Sequence, residues 1–320
     1  MSPLVTATAG QAGVRDLRPQ FRAAVCARLR GAGDPDCGDV LTRMGGEGPT
    51  DTGAFPPIDV QLRRYRIGIV PGFLAECLDD ADRPFAAAEK DLTAQGFAVT
   101  YLRTSGRGSV AANAEMLARQ IAALPDDPRP FILFAYSKGM PDVLDMLVRF
   151  PEAGRQVAAV VGVAGAVHGS PLAERYEALW RATLMGLPLG KCGADEGEGV
   201  HDMRKDVRVA WWKAHGHELR TPLYSIVGLP ERKRVSPVLA TLHSQLSDID
   251  PHNDAQILWT EAVAVPGALL GYVNADHWAL AMRLSEAFPT MPDSFVDDLP
   301  RGALLGGAIA VVARDLDATR

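Results

Sequence analysis

From Arg66 onward the chain alternates short, nearly pure apolar runs with longer stretches in which apolar residues recur every three or four positions. The run Ile67–Val70 ends at Pro71-Gly72, and Phe97–Leu102, Phe131–Ala135 and Val157–Ala164 repeat the form. Consecutive apolar positions suit strands covered on both faces, the habit of a parallel sheet. Between these runs, Asp82–Gln95, Asn113–Leu124 and Pro141–Phe150 carry helical spacing. Gly96 stops the first of these helices, and Pro141 is tolerated in a first turn. Strand, helix, strand, helix predicts an α/β domain with a mostly parallel sheet flanked by helices. Strand character returns at Leu223–Gly228 and Ala268–Val273, and Gly302–Leu316 predicts a closing amphipathic helix.

Two regions break the rhythm. Residues 1–60 hold an amphipathic stretch, Asp16–Arg30, followed by the Gly/Pro/Asp-rich segment Gly31–Pro57 with a short helix expected around Val40–Met44. They read as an extension of helix plus loops packed on a main domain of residues 61–320. That domain is interrupted at 168–220 by a segment carrying Trp180, Met185, Trp211, Trp212 and the loop Gly193–Gly199. An insertion of this size and composition reads as a cap or lid.

Composition narrows the function classes. Lys+Arg 33 against Asp+Glu 39 leaves a net charge of −6, which supplies no footprint for a phosphate backbone, so no nucleic-acid partner is expected. The longest apolar runs, Val157–Val167 and Ala303–Ala313, fall short of the about 20 residues a bilayer span needs, so no transmembrane segment is expected. Met1–Gly10 lacks a basic start and an apolar core, so a cytoplasmic location is the expectation, with a trimmed, secreted mature form as the alternative. Cys26/Cys37 and Cys77/Cys192 can be drawn as pairs, but a chain this large needs no disulfide framework, and reduced thiols are the simpler expectation. His201, His215, His217 and Cys192 are metal-ligand types whose spacing fits no zinc pattern, so no metal is expected. Thr104–Ser109 lacks the Gly-Lys-Ser/Thr ending of a nucleotide loop and reads as a strand-end turn.

The strongest local signal is Phe131-Ile-Leu-Phe-Ala-Tyr-Ser137-Lys-Gly139-Met-Pro141, an apolar strand running straight into a serine with a helix beginning just after it. Such a strand-to-helix turn lifts a nucleophilic hydroxyl above the sheet and needs small residues two before and two after it, here Ala135 and Gly139. A serine hydroxyl needs a base. His277, directly beyond the last strand, is the candidate in the chain order serine, acid, histidine. Asp254 is the first candidate for the acid, with Asp250 next and Asp248 also placed for it. The backbone N–H groups of Phe73, after Gly72, and of Lys138 are candidates for holding an oxyanion. Gly72, Tyr136, His168, Trp180 and Trp278 are candidates for lining the substrate cleft.

With Ser137, Asp254 and His277 in this order, the chain resembles the α/β-hydrolase superfamily from about Arg66 to Leu316, and within it lipase and esterase relatives. Gly72-Phe73 matches their oxyanion loop, Asn253-Asp254 their acid motif, and Ala135-Tyr-Ser-Lys-Gly-Met-Pro-Asp142 a group of bacterial hydrolases. The resemblance implies a serine hydrolase cleaving carboxylic esters through an acyl-enzyme, without a cofactor, on a small-molecule or lipid-like ester. An acyltransferase or thioesterase with the same triad, or a catalytically silent binding module on the same fold, remain the alternatives. Oligomeric state is not legible.

Overall fold

A computed structural model describes residues 13–73, 75–180 and 198–318. The first third runs β1 (Val14–Asp16), α1 (Arg18–Cys26), α2 (Cys37–Val40), β2 (Leu41–Thr42), α3 (Ile58–Arg64), β3 (Arg66–Val70), α4 (Ala86–Ala94) and β4 (Val99–Tyr101). The middle holds α5 (Val110–Ala122), β5 (Phe131–Tyr136), α6 (Gly139–Arg149), α7 (Pro151–Gly154) and β6 (Val157–Val163). There follow α8 (Pro171–Trp180), α9 (Glu198–Asp202), α10 (Lys205–His215), β7 (Leu223–Gly228), α11 (Ala240–Ser247), β8 (Gly267–Val273), α12 (Leu284–Ala287) and α13 (Arg301–Ala318). The strands form one sheet in the order β1-β8-β7-β6-β5-β3-β4, parallel throughout except for β2, which pairs antiparallel with β8. This is an α/β-hydrolase fold.

The apolar runs become central strands because both of their faces are covered. Along β5, Ile132, Phe134 and Tyr136 join the cluster built with Phe21, Val25, Leu92 and Ile309, while Phe131, Leu133 and Ala135 join Leu117, Ile121, Val143 and Leu144. Thus α1, α4 and α13 cover one face, and α5 and α6 the other. Burying such side chains contributes roughly 1.5–3 kcal/mol each, which is why the periodicity locates these strands.

The first sixty residues hold more than the expected helix and loops. β1 pairs with the first half of the β8 edge, Val14 opposite Gly267, and β2 pairs with its second half, Leu41 opposite Val273. The short helix expected around Val40–Met44 forms earlier, at Cys37–Val40, capped by the Asp36 carboxylate accepting from the Gly38 N–H. Cys26 and Cys37 form a disulfide, with Cα atoms 5.3 Å apart, and Cys77 is disulfide-bonded as well, so the expectation of reduced thiols is corrected. Cys192 lies outside the described residues, as do Met185 and the loop as far as residue 197. No helix among the described residues is long and apolar enough to cross a membrane.

In the 168–220 segment, Trp211 and Trp212 pack against the α5–α6 core cluster, where Trp211 Nε1 donates to Asp145 at 3.0 Å and Trp212 Nε1 to the Val265 carbonyl at 3.1 Å. They fill core beside the sheet. Trp180 stacks on Tyr176 and, with Leu172, Leu246 and Leu258, forms a separate small cluster.

Candidate active site

β5 delivers Ser137 at a sharp bend. Its φ is +52°, a left-handed conformation that costs a non-glycine residue about 1–2 kcal/mol. Three backbone bonds over-determine the bend. The Ser137 N–H donates to Val163 O, and Ser137 O accepts from the Met140 and Ala166 N–H groups, all at 3.0–3.1 Å. A Cβ on Gly139 would stand 2.4 Å from Pro71 O and 2.8 Å from Val70 O, so only glycine fits two places after the serine. A Cβ on Gly72 would lie 2.8 Å from Ser137 Cβ. The loop after β3 therefore rests directly on the bend, which brings the Gly72-Phe73 segment beside the start of α6, where Lys138 stands.

His277 arrives from the loop beyond β8. Its Nε2 is 2.9 Å from Ser137 Oγ, and its Nδ1 is 2.7 Å from Asp254 Oδ2. Nδ1–H donating to the carboxylate leaves Nε2 as the acceptor of the serine O–H, a tautomer assigned from this network. The other Asp254 oxygen accepts from the Gln256 and Ile257 N–H groups at 2.9 and 2.7 Å, and the His277 N–H donates to Asp254 O at 2.8 Å. The acid and the base are thus tied through backbone and side chain. Tyr136 lies against the imidazole, ring centroids 5.2 Å apart, and its hydroxyl donates to His277 O at 2.8 Å. Burial holds the Tyr136 phenol well above its ordinary pKa, so it remains a neutral donor. All three polar residues are buried, with Ser137 5% exposed.

The rival acids are committed elsewhere. Asp250 binds His252 Nδ1 at 2.8 Å and Trp259 Nε1 at 3.1 Å. Asp276, next to His277 in sequence, accepts from the N–H groups of Ser236, Trp278 and Ala279, so it fixes the turn that carries the imidazole.

The expected lining residues separate. Gly72 and Tyr136 touch the Ser137–His277 pair, and Trp278 packs on Val235, Leu239 and Ala255 beside Asp254. His168 sits edge-on to Trp212, centroids 5.2 Å apart, where burial pulls its pKa down to about 4. Trp180 belongs to the separate α8–α11 cluster. His201 pairs with Glu177 and His215 with Glu218, and no group of three metal-ligand side chains converges among the described residues. One polar feature escaped the sequence reading. The Lys138 side chain is fully buried, with Nζ 2.9 Å from Asp142 Oδ1. Its signal was a Lys–Asp pair four residues apart on the helix that follows the serine.

No protein-family model matches this chain, and no curated protein matches it. Solved structures do. The metagenomic carboxyl esterase MGS0156 is 33% identical, covering 98% of this chain and 97% of its own, with a TM-score of 0.89. The mature lipase BlEst2 of Bacillus licheniformis, 19% identical, covers 75% of this chain and 90% of its own at a TM-score of 0.53. Lipase 1 of Pelosinus fermentans, 10% identical, covers 77% and 98% at 0.54. At their identity, these two lipases speak for the fold alone.

Proposed function

Because this chain belongs to the α/β-hydrolase superfamily, as a serine carboxylic ester hydrolase among its esterases, we propose that Ser137, His277 and Asp254 are its catalytic triad. Ser137 Oγ attacks the ester carbonyl carbon while its proton passes to His277 Nε2. The carbonyl electron pair moves onto oxygen, and the Phe73 and Lys138 N–H groups hold that oxyanion. Collapse of the tetrahedral species breaks the bond to the alkoxy oxygen, which leaves as the alcohol with the proton from His277. Water then attacks the acyl-enzyme by the same route and releases the carboxylic acid and Ser137. Asp254 stays ionised throughout and stabilises the imidazolium through Nδ1–H. The observation that carries this reading is the unbroken chain of 2.9 and 2.7 Å from Ser137 Oγ through His277 to Asp254 Oδ2.

The test is covalent. A fluorophosphonate probe labels the wild type and spares Ser137→Ala, and Ser137→Ala loses ester turnover by several orders of magnitude. Absence of labelling on folded wild-type protein sinks the triad and leaves the binding-module alternative.

We read 168–220 as a cap over a domain of residues 61–320, with only part of it above the reactive end of the sheet, since Trp211 and Trp212 fill core. The substrate class we favour is a lipid-like ester. Half-buried Tyr176 and Trp180 lie beside exposed Leu179, and exposed Val238 and Ile249 flank the same region. Rates on p-nitrophenyl esters that rise from acetyl to octanoyl support this; a flat profile removes it. The Cys26–Cys37 disulfide favours an oxidising compartment over the cytoplasm expected from the amino-terminal pattern.

A further inference from the structure

Lys138 is an unusual residue to find after a nucleophile, because its ammonium is wholly out of water. A buried cation is costly unless paired, and an apolar side chain would fill the same space without that cost. Its partner is Asp142, one helical turn on and 1% exposed, at 2.9 and 3.2 Å. The carboxylate is held in turn by Asn113 of α5, whose Nδ2 donates to Asp142 Oδ2 at 2.9 Å. The same Asn113 donates to Ser105 O at 2.7 Å and accepts from the Ser105 N–H at 2.9 Å, which fixes the loop after β4.

This buried pair touches the 168–220 segment directly. A Cβ on Gly199 would lie 2.7 Å from Lys138 Cε and 2.7 Å from the carbonyls of Arg107 and Gly108, so α9 is seated on the lysine stem itself. The Gly199 N–H donates to Arg107 O at 2.9 Å, and Asp202, at the end of α9, accepts from the Val110 N–H at 2.6 Å. From α10, buried Arg208 faces Asp142, Asp145 and Asp202, and its Nε and one terminal nitrogen have no hydrogen-bond partner among the described residues.

We propose that the buried Lys138–Asp142 pair is a positioning device that couples the seating of segment 198–202 to the placement of the Lys138 peptide N–H beside the reacting carbonyl. The proposal rests on the reading of that N–H as an oxyanion donor. Lys138 and Asp142 act here through the backbone and touch no substrate. With α9 in place, the lysine stem is pinned between Gly199 and Asp142, and the peptide at the start of α6 has one orientation. When the pair is broken, the ammonium has no partner in the interior and the stem moves toward α9 and unseats it.

Asp142 is faced by Lys138 from the bend, Asn113 from α5 and Arg208 from α10. Burial pushes its carboxyl up to about 6, against the pull of Lys138. Protonation of Asp142 leaves the Lys138 ammonium beside a neutral partner and lowers kcat on the acid side, and Asp142→Asn holds that neutral pairing at every pH.

The experiment compares the wild type, Lys138→Met and Asp142→Asn. Lys138→Met is expected to lower kcat on a short ester by about 10- to 100-fold with KM little changed, the mark of a contact made in the transition state. Amide exchange at Gly199 is expected to speed up in the same variant. Asp142→Asn is expected to lower kcat at neutral pH by about 10-fold with KM little changed, and to lose the part of the acid-side fall that belongs to Asp142. A lowered melting temperature with wild-type kcat in both variants overturns the proposal and leaves the pair as core structure. Unchanged exchange at Gly199 overturns the coupling whether or not esters are turned over. Failure of the serine-hydrolase reading is a separate result, seen as unlabelled wild type.

Discussion

At position 139 the side chain matters by being absent. The Pro71 and Val70 carbonyls that a methyl would meet are backbone atoms, and they cannot swing aside as a side-chain end would. Gly139→Ala must push the loop after β3 away from the bend, at a cost of about 1–3 kcal/mol of overpacking. We expect kcat to fall more than KM rises, because the proposed Phe73 donor moves with that loop; kinetics on a short ester together with a melting curve check it. Ala135, two places before the serine, stands between Val70 and Gly162 in register and is fully buried. Ser137 and His277 were legible in the sequence because strand–turn–helix context and chain order constrain them. The choice among acids was not legible. Asp250 and Asp254 differ by which side chains fold back onto them, His252 and Trp259 in one case and His277 in the other, and nothing in the linear pattern encodes that choice. The buried role of Lys138 was hidden for a similar reason, since an exposed helix pair has the same spacing.

Among elements, the central strands were readable to within a residue or two because burial on both faces leaves a run with few polar positions. β7 spans Leu223–Gly228 as expected, and β5 extends its expected range by Tyr136 alone. β1 and β2 are three and two residues long, too short to show a period, and they exist because the β8 edge offers them partners. The disulfide closes the segment between them. Cys26 ends α1, which packs on α13, and Cys37 opens the turn that leads into β2. Breaking it frees a short loop in the unfolded chain, worth up to about 3 kcal/mol in the chain-entropy account. Cys26→Ser with Cys37→Ser is therefore expected to lower the melting temperature by several degrees while leaving turnover at 25 °C close to wild type. Thermal unfolding with and without reductant gives the comparison.

The whole molecule carries two buried groups whose titrations oppose each other. His168 is held at about 4 by burial, below its ordinary value, so its contribution is complete above pH 6.5 and is lost as pH falls toward 4. That loss is up to about 3 kcal/mol. Asp142 is raised to about 6, so the folded state takes its proton first and gains stability over nearly the same range as pH falls. We expect His168→Gln to flatten the fall in melting temperature between pH 7 and pH 5, and Asp142→Asn to steepen it. Melting curves across that range decide the matter, and equal slopes in all three proteins count against both assignments.

The amino-terminal strands have a consequence for how the molecule comes into being. β1 emerges early in synthesis, yet the edge it joins is made only when residues 267–273 appear, and α1 must wait longer still for α13. A segment made before the rest of the sheet is thus among the last to dock, and an unpaired strand stays open to the wrong neighbour until β8 appears. The link between Cys26 and Cys37 needs no distant partner, and a nascent chain can close it while the rest is still being made.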